Sequence, residues 1–191
     1  KELFDQGSKR FQNAISKNQL ILINKAIYYE SDRTIQFYVN KNKSVWGSIK
    51  KELAEQDKSE SEIQYIKTIS FYDLCSLYDV PYYCKVDVEG ADICVAEHLS
   101  VYKPEHVSFE LSRTYYLDIF YHLKSAGYKK FQLRNQFYNK DESSGEFAEY
   151  LPEDKWFDLD ETLRNYIKFN ELRSIDYRNL SFGWMDIHAK R

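Results

Sequence analysis

At 191 residues with 43% apolar and 30% charged side chains, the chain is long enough to bury a substantial core as one globular domain. A formal charge of -3 and an isoelectric point near 5.9 leave no cationic surplus, which argues against nucleic acid as a partner. Aromatic content of 17% excludes a chain dominated by disorder, and no apolar run approaches the ~18 residues that a membrane span needs.

From the front, Leu3, Phe4, Phe11, Ala14 and Ile15 form the stripe of a helix expected over Lys1 to Asn18. Leu20 to Tyr29 is a nearly continuous strand signal, and Thr34 to Val39 alternates and is rich in β-formers. The two are expected to pair as a hairpin across Glu30 to Arg33. Lys50 to Glu62 is highly charged and reads as a solvated helix or loop. Ser70 with Asp73 three residues later marks a helix start, with Leu74, Cys75 and Tyr78 facing inward and Pro81 closing the segment.

Tyr82 to Val88 is an apolar strand that delivers Asp87 and Glu89 to its carboxyl end, where open α/β sheets place their ligands. Gly90 lets the backbone turn, and Ala91, Cys94 and Val95 face inward from the helix that follows. A strand is expected at Glu105 to Leu111. A helix over Thr114 to Ala126 follows, with Tyr116, Ile119, Phe120 and Leu123 on one face and Gly127 as its cap. Strands are then expected at Lys129 to Asn135 and Phe182 to Ala189, separated by a polar loop over Asn139 to Glu149 that contains Ser143, Ser144 and Gly145.

Repeated strand-helix-strand units predict an α/β fold with a mostly parallel sheet. The strands near 83–88, 106–111, 129–135 and 182–189 should lie in one sheet, the last antiparallel to its neighbours, since its connection leaves no room for a crossover helix. Cys75, Cys84 and Cys94 are odd in number and lack metal-like spacing, so reduced thiols in a reducing, cytoplasmic setting are expected. His98, His106 and His122 are scattered, and no metal site is expected.

Asp87 and Glu89 fall on one side of the strand if it persists that far. Glu110 ends the next strand, and parallel neighbours lie about 4.8 Å apart, so it is placed either to join the same acidic group or to cap the helix near Thr114. His188 lies in the last strand with Trp184 and Asp186 on its face. Its plainer role is structural, and its other role is that of a base.

The run Lys85, Val86, Asp87, Val88, Glu89, Gly90, Ala91, Asp92 resembles the core motif of the FkbM family of S-adenosylmethionine-dependent methyltransferases, with Asp in place of the family's final Glu. TISFYDL before it, SFEL after it and FGWMDIHAK near the end agree in the same order, so the resemblance spans most of residues 66–190. It implies a Rossmann-like class I methyltransferase sheet with an antiparallel terminal strand, S-adenosyl-L-methionine as cofactor, and a small-molecule or glycan acceptor with a hydroxyl. The family's glycine-rich loop and ribose-binding acid have no counterpart here, since the glycines stand at 7, 47, 90, 127, 145 and 183 with no Gly-x-Gly. An amino-terminally truncated domain is therefore expected, residues 1–191 forming its carboxyl-terminal two-thirds, binding the cofactor weakly or not at all and inactive by themselves.

Methyl transfer to oxygen is an in-line displacement that gains from a base near the acceptor hydroxyl, and Asp87, Glu89, Glu110 and His188 are the candidates. By resemblance, Asp87 faces the methionine end of the cofactor or the methyl-transfer point, Ala26 and Ile27 lie against the adenine, and Ser48 sits in a Trp46-Gly47-Ser48 loop placed to close over the site. Ala26 and Ile27 serve equally as plain strand core. Two other functions stay open. Asp87-Val88-Glu89 is an acidic-x-acidic triplet of the kind that holds a divalent ion on a nucleotide-sugar diphosphate in glycosyltransferases, and a non-catalytic binding scaffold is the third.

Overall fold

The computed structural model describes residues 2–43, 46–55, 58–136, 155–175 and 184–191. In the amino-terminal part, β1 (Ala26–Ile27) runs parallel and β2 (Thr34–Asn40) antiparallel to β3 (Ser61–Ile69), which lies between them. The second sheet contains β4 (Tyr83–Val86), β5 (His106–Glu110), β6 (Lys130–Asn135) and β7 (Met185–Lys190) in the order β4-β5-β7-β6. Since β4 is parallel to β5, and β7 is antiparallel to both β5 and β6, three strands share one direction and β7 opposes them. The fold is α/β with mixed sheets.

Alternation along the second sheet sorts its side chains onto two faces. Val107, Phe109, Phe131, Leu133, Ile187 and Ala189 are buried on one face. They join a core with Ile119, Phe120 and Leu123 of α6 (Tyr116–Ser125) and Tyr166 and Phe169 of α7 (Leu159–Ile175). Each valine, leucine, isoleucine or phenylalanine buried this completely contributes about 1.5–3 kcal/mol of transfer free energy. Ser108, Gln132 and His188 fall on the other face, opposite one another in the strand register. The carboxyl ends of β4, β5 and β6 and the start of β7 form one rim.

The expected core elements are present. α4 (Phe71–Tyr78) starts at Ser70, whose hydroxyl accepts from the Asp73 N–H, and Phe71 and Cys75 are buried. α6 carries the expected inward face, and Gly127 leaves it with φ +87°, the left-handed conformation for which glycine is suited. The four carboxyl-terminal strands lie in one sheet and the last is antiparallel to its neighbours. The thiols of Cys75, Cys84 and Cys94 are free. No helix among the described residues is long and apolar enough to cross a membrane.

Other expectations are corrected. Residues 20–29 do not pair with β2: only Ala26 and Ile27 are strand, and both pair with β3. The loop between β1 and β2 crosses the end of β3, with the Asp32 N–H donating to the Thr68 carbonyl and the Thr68 hydroxyl to the Glu30 carbonyl. That crossing puts β1 and β2 on opposite edges of β3. The charged stretch after Lys50 holds the short helix α3 (Lys51–Ala54) and leads into β3, whose first residues are mostly exposed and so do not look like a core strand. The front helix divides at Phe11 into α1 (Glu2–Arg10) and α2 (Gln12–Ser16), and Leu3 and Phe11 of its apolar stripe are exposed. The strands form two mixed sheets, not one mostly parallel sheet. Between β6 and β7 stands α7, where no helix was expected, and it covers the core with Tyr166 and Phe169. The polar loop over 139–149 lies outside the described residues.

Candidate functional site

β4 ends at Val86, before the acidic residues, so alternation along a strand does not set their directions. A turn does. Glu89 has φ 47° and Gly90 has φ +99°, both left-handed, and the buried carboxylate of Asp92 at the start of α5 (Asp92–Ala96) accepts from the Gly90 N–H at 3.1 Å. The Tyr115 hydroxyl donates to the same carboxylate at 3.1 Å. On the other side, Ser48 is fully buried and its hydroxyl donates to the Glu89 carbonyl at 2.5 Å, tying the turn to the first sheet. Asp92 and Ser48 are thus the supports of the turn.

So held, the turn places carboxylate oxygens of Asp87, Glu89 and Glu110 within 4.8 Å of one another. Glu110 ends β5 opposite Asp186 of β7, so their side chains share a face of the sheet. Lys85 lies on that face as well, its Nζ 2.5 Å from Asp186 Oδ2 and 3.7 Å from Asp87 Oδ2. Asp186 is buried, and its Oδ1 finds no hydrogen-bond partner among the described residues.

Crowding and burial of like charges shape the protonation of this group. Glu110 is pushed up to about 8 by burial first, then by its hydrogen bond with Asp87 and the charges of Asp87, Glu89 and Asp186. Below that pH Glu110 carries a proton and donates it to the Asp87 carboxylate. Burial also raises Glu89, with Asp87 and Asp92 adding to it. Asp186 is raised by burial in spite of Lys85, and Lys85 is raised because Asp186, Asp87 and Glu110 together outweigh its own burial.

Of the other expected site residues, His188 stands along β7 between Ser108 and Gln132, outside the group of close carboxylates. Burial, with Arg134 and Lys85 nearby, pushes it down to about 4, so it is neutral at pH 7. Ile27 lines an apolar cleft of about 310 Å³ between the two sheets, together with Phe71, Cys84, Val86, Val88 and Val95. Ala26 pairs with Thr68 on β3. Ser48 holds the acidic turn from beneath and is not presented to a ligand, and Glu110 joins the acidic group instead of capping a helix. A wider, open groove of about 510 Å³ runs along α6 and α7 past Tyr116, Ile167 and Asn170, but of the titratable groups in its lining none belongs to the acidic group.

Lys85 and Asp186 were not among the candidates from sequence. Lys85 stands two residues before Asp87 in the same run, but β4 ends at Val86 between them, so strand alternation does not announce their contact. The meeting of Asp186 with Glu110 depends on the register of β7, which local pattern does not encode. No protein-family model, curated protein or solved structure matches the chain.

Proposed function

We propose that this chain belongs to an S-adenosylmethionine-dependent O-methyltransferase that moves a methyl group to a hydroxyl of a sugar, glycan or secondary metabolite. The observation that carries the proposal is the meeting of Asp87, Glu89 and Glu110 at the carboxyl ends of β4 and β5, beside an apolar cleft. The motif that resembles the FkbM family forms this turn, and the reversed β7 agrees with the terminal strand that the resemblance implies.

The donor set suits part of such a cofactor: carboxylates complement its ammonium and sulfonium charges, and the apolar cleft at Ile27 suits a purine. When bound, the cofactor supplies an electrophilic methyl group on a cationic sulfur. Asp87 would hold its methionine end and Ile27 its adenine. Among the chain's own residues, Asp87 is the most open of the three carboxylates, so it is placed to take up the proton of an acceptor hydroxyl. Glu110 orients Asp87, and Glu89 shapes the turn.

Closeness of the three carboxylates also favours a second reading, a nucleotide-sugar glycosyltransferase with a metal-bound diphosphate. Transfer of a labelled methyl group to sugar and glycan acceptors, beside transfer of a labelled sugar from nucleotide donors, separates the two. Under the leading proposal Asp87→Asn cuts methyl transfer ~10²-fold or more, because the amide keeps the shape and loses the base. Equal and measurable methyl-transfer rates in the variant and the parent, both as the complete enzyme, would remove Asp87 from the chemistry.

A further inference from the structure

Four carboxylates, Asp87, Glu89, Glu110 and Asp186, crowd one rim of the second sheet, with Lys85 as the cation bonded to them. Lys85 gives its short contact to Asp186 Oδ2 and reaches Asp87 only at 3.7 Å. The three-carboxylate group thus keeps a surplus of negative charge after its ion pair is counted. Acidic clusters on surfaces are common without ligands, and the surplus alone implies little.

A separate feature points to a ligand. Asp186 is only 2% exposed and stands opposite Glu110 in register, on the face that carries the cluster, and its Oδ1 has no hydrogen-bond partner among the described residues. An anionic oxygen buried without a donor costs about 1–3 kcal/mol or more. A hydrated cation on Asp87, Glu89 and Glu110 would offset that cost through a bound water donating to Asp186 Oδ1.

The dimensions agree with such an ion. Two oxygens on one ion lie no farther apart than twice the metal–oxygen distance, about 4.2 Å for Mg²⁺ and about 5 Å for Ca²⁺. Oxygens within 4.8 Å of one another meet that limit for an ion of Ca²⁺ size, and for a smaller ion the widest pair closes by about half an ångström or more. An all-oxygen carboxylate donor set, once a bound cation has displaced the Glu110 proton, selects hard divalent ions over the softer metals held by thiol or imidazole.

We propose that Asp87, Glu89 and Glu110 form a binding site for a hard divalent cation, with Asp186 completing its surroundings. The site rests on the geometry of these side chains and is independent of the methyl-transfer proposal. A cation here would neutralise the rim and leave open coordination positions toward solvent, where a hydroxyl or phosphate oxygen of a substrate can bind.

The test is titration of the chain with Mn²⁺ alone, followed by electron paramagnetic resonance, with Ca²⁺ and Mg²⁺ as competitors. One site is expected, with Ca²⁺ or Mg²⁺ displacing the Mn²⁺, and with affinity reduced at least tenfold in Glu110→Gln and in Asp87→Asn. Asp186→Asn, which leaves the three ligands in place, should weaken binding less. Circular dichroism checks the fold of each variant, and Glu89→Gln replaces any that unfolds. Mn²⁺ that stays free at millimolar concentration, or that binds parent and ligand variants alike, would overturn the site. No nucleotide or methyl donor enters the titration, so its failure leaves the methyltransferase proposal standing. Binding without methyl transfer would instead shift weight to the glycosyltransferase.

Discussion

At the scale of single residues, Lys85 and Asp186 are the pair whose roles differ most from their look in the sequence. A lysine in an apolar strand suggests an edge residue, yet its ammonium is the cation nearest a carboxylate that is 3% exposed at its side chain. Removing one member of such a pair leaves the other buried and uncompensated, which costs about 3–5 kcal/mol when both are fully buried. Lys85 is 38% exposed, so solvent screens part of that cost and about 1–3 kcal/mol is expected for Lys85→Met. Asp186→Asn should cost less, since it removes the buried charge itself and eases its repulsion with Asp87. Urea denaturation in the presence of a chelator measures both variants. A larger loss for Asp186→Asn would show that Lys85 does not compensate that carboxylate.

At the scale of elements, α4 depends on a small polar network at its start. The Ser70 hydroxyl accepts from the Asp73 N–H at 3.0 Å and donates to the Asp73 carboxylate at 2.8 Å, while Ser31 donates to the same carboxylate. Those hydrogen bonds from Ser31 and Ser70 hold the Asp73 carboxyl below its usual range. Ser31 follows β1 and Ser70 follows β3, so the cap joins the helix to the loop that crosses the first sheet. Ser70→Ala should destabilise the chain by about 1 kcal/mol, as cap substitutions do, because the part-buried network loses two bonds. A thermal melt of the variant reads this directly, and an unchanged midpoint would mean that the cap carries no stability.

For the whole molecule, Glu110 and His188 set opposing dependences of stability on pH. Glu110 titrates near 4.5 when unfolded and at about 8 when folded, so between those values the folded chain holds the extra proton and stability falls as pH rises. His188 titrates near 6.5 unfolded and at about 4 folded, so the unfolded chain binds the proton first and stability falls as pH drops from 6.5 to 4. From about 4.5 to 6.5 the two slopes oppose. Above 6.5 only the Glu110 effect remains, and the chelator-treated chain should lose stability toward pH 8. Glu110→Gln should remove that decline, and His188→Gln should remove the loss on the acid side. Denaturant midpoints across pH 4–9 measure both, and a decline that persists in Glu110→Gln would place the titrating group elsewhere.

Elements that bury one face were legible in the sequence because burial imposes a period: α6 shows it in Ile119, Phe120 and Leu123, β5 in Val107 and Phe109, and the α4 cap in Ser70 and Asp73. The acidic residues of the candidate site were legible too, since Asp87, Glu89 and Glu110 each follow or end an apolar run. The hidden parts have no local signature. β3 begins exposed and charged, the path of the chain over the end of β3 depends on hydrogen bonds to Thr68, and α7 packs Tyr166 and Phe169 among polar neighbours. What the sequence by itself determined is which residues stand near the tips of β4 and β5 and at the start of α4, through short-range patterns of size, polarity and backbone preference. Only the tertiary structure decided which tips meet, because the pairing of Glu110 with Asp186 and closure of the Ser48 contact on Glu89 join residues 76 and 41 positions apart. Register and loop path arise from packing of the whole chain, and no local pattern specifies them.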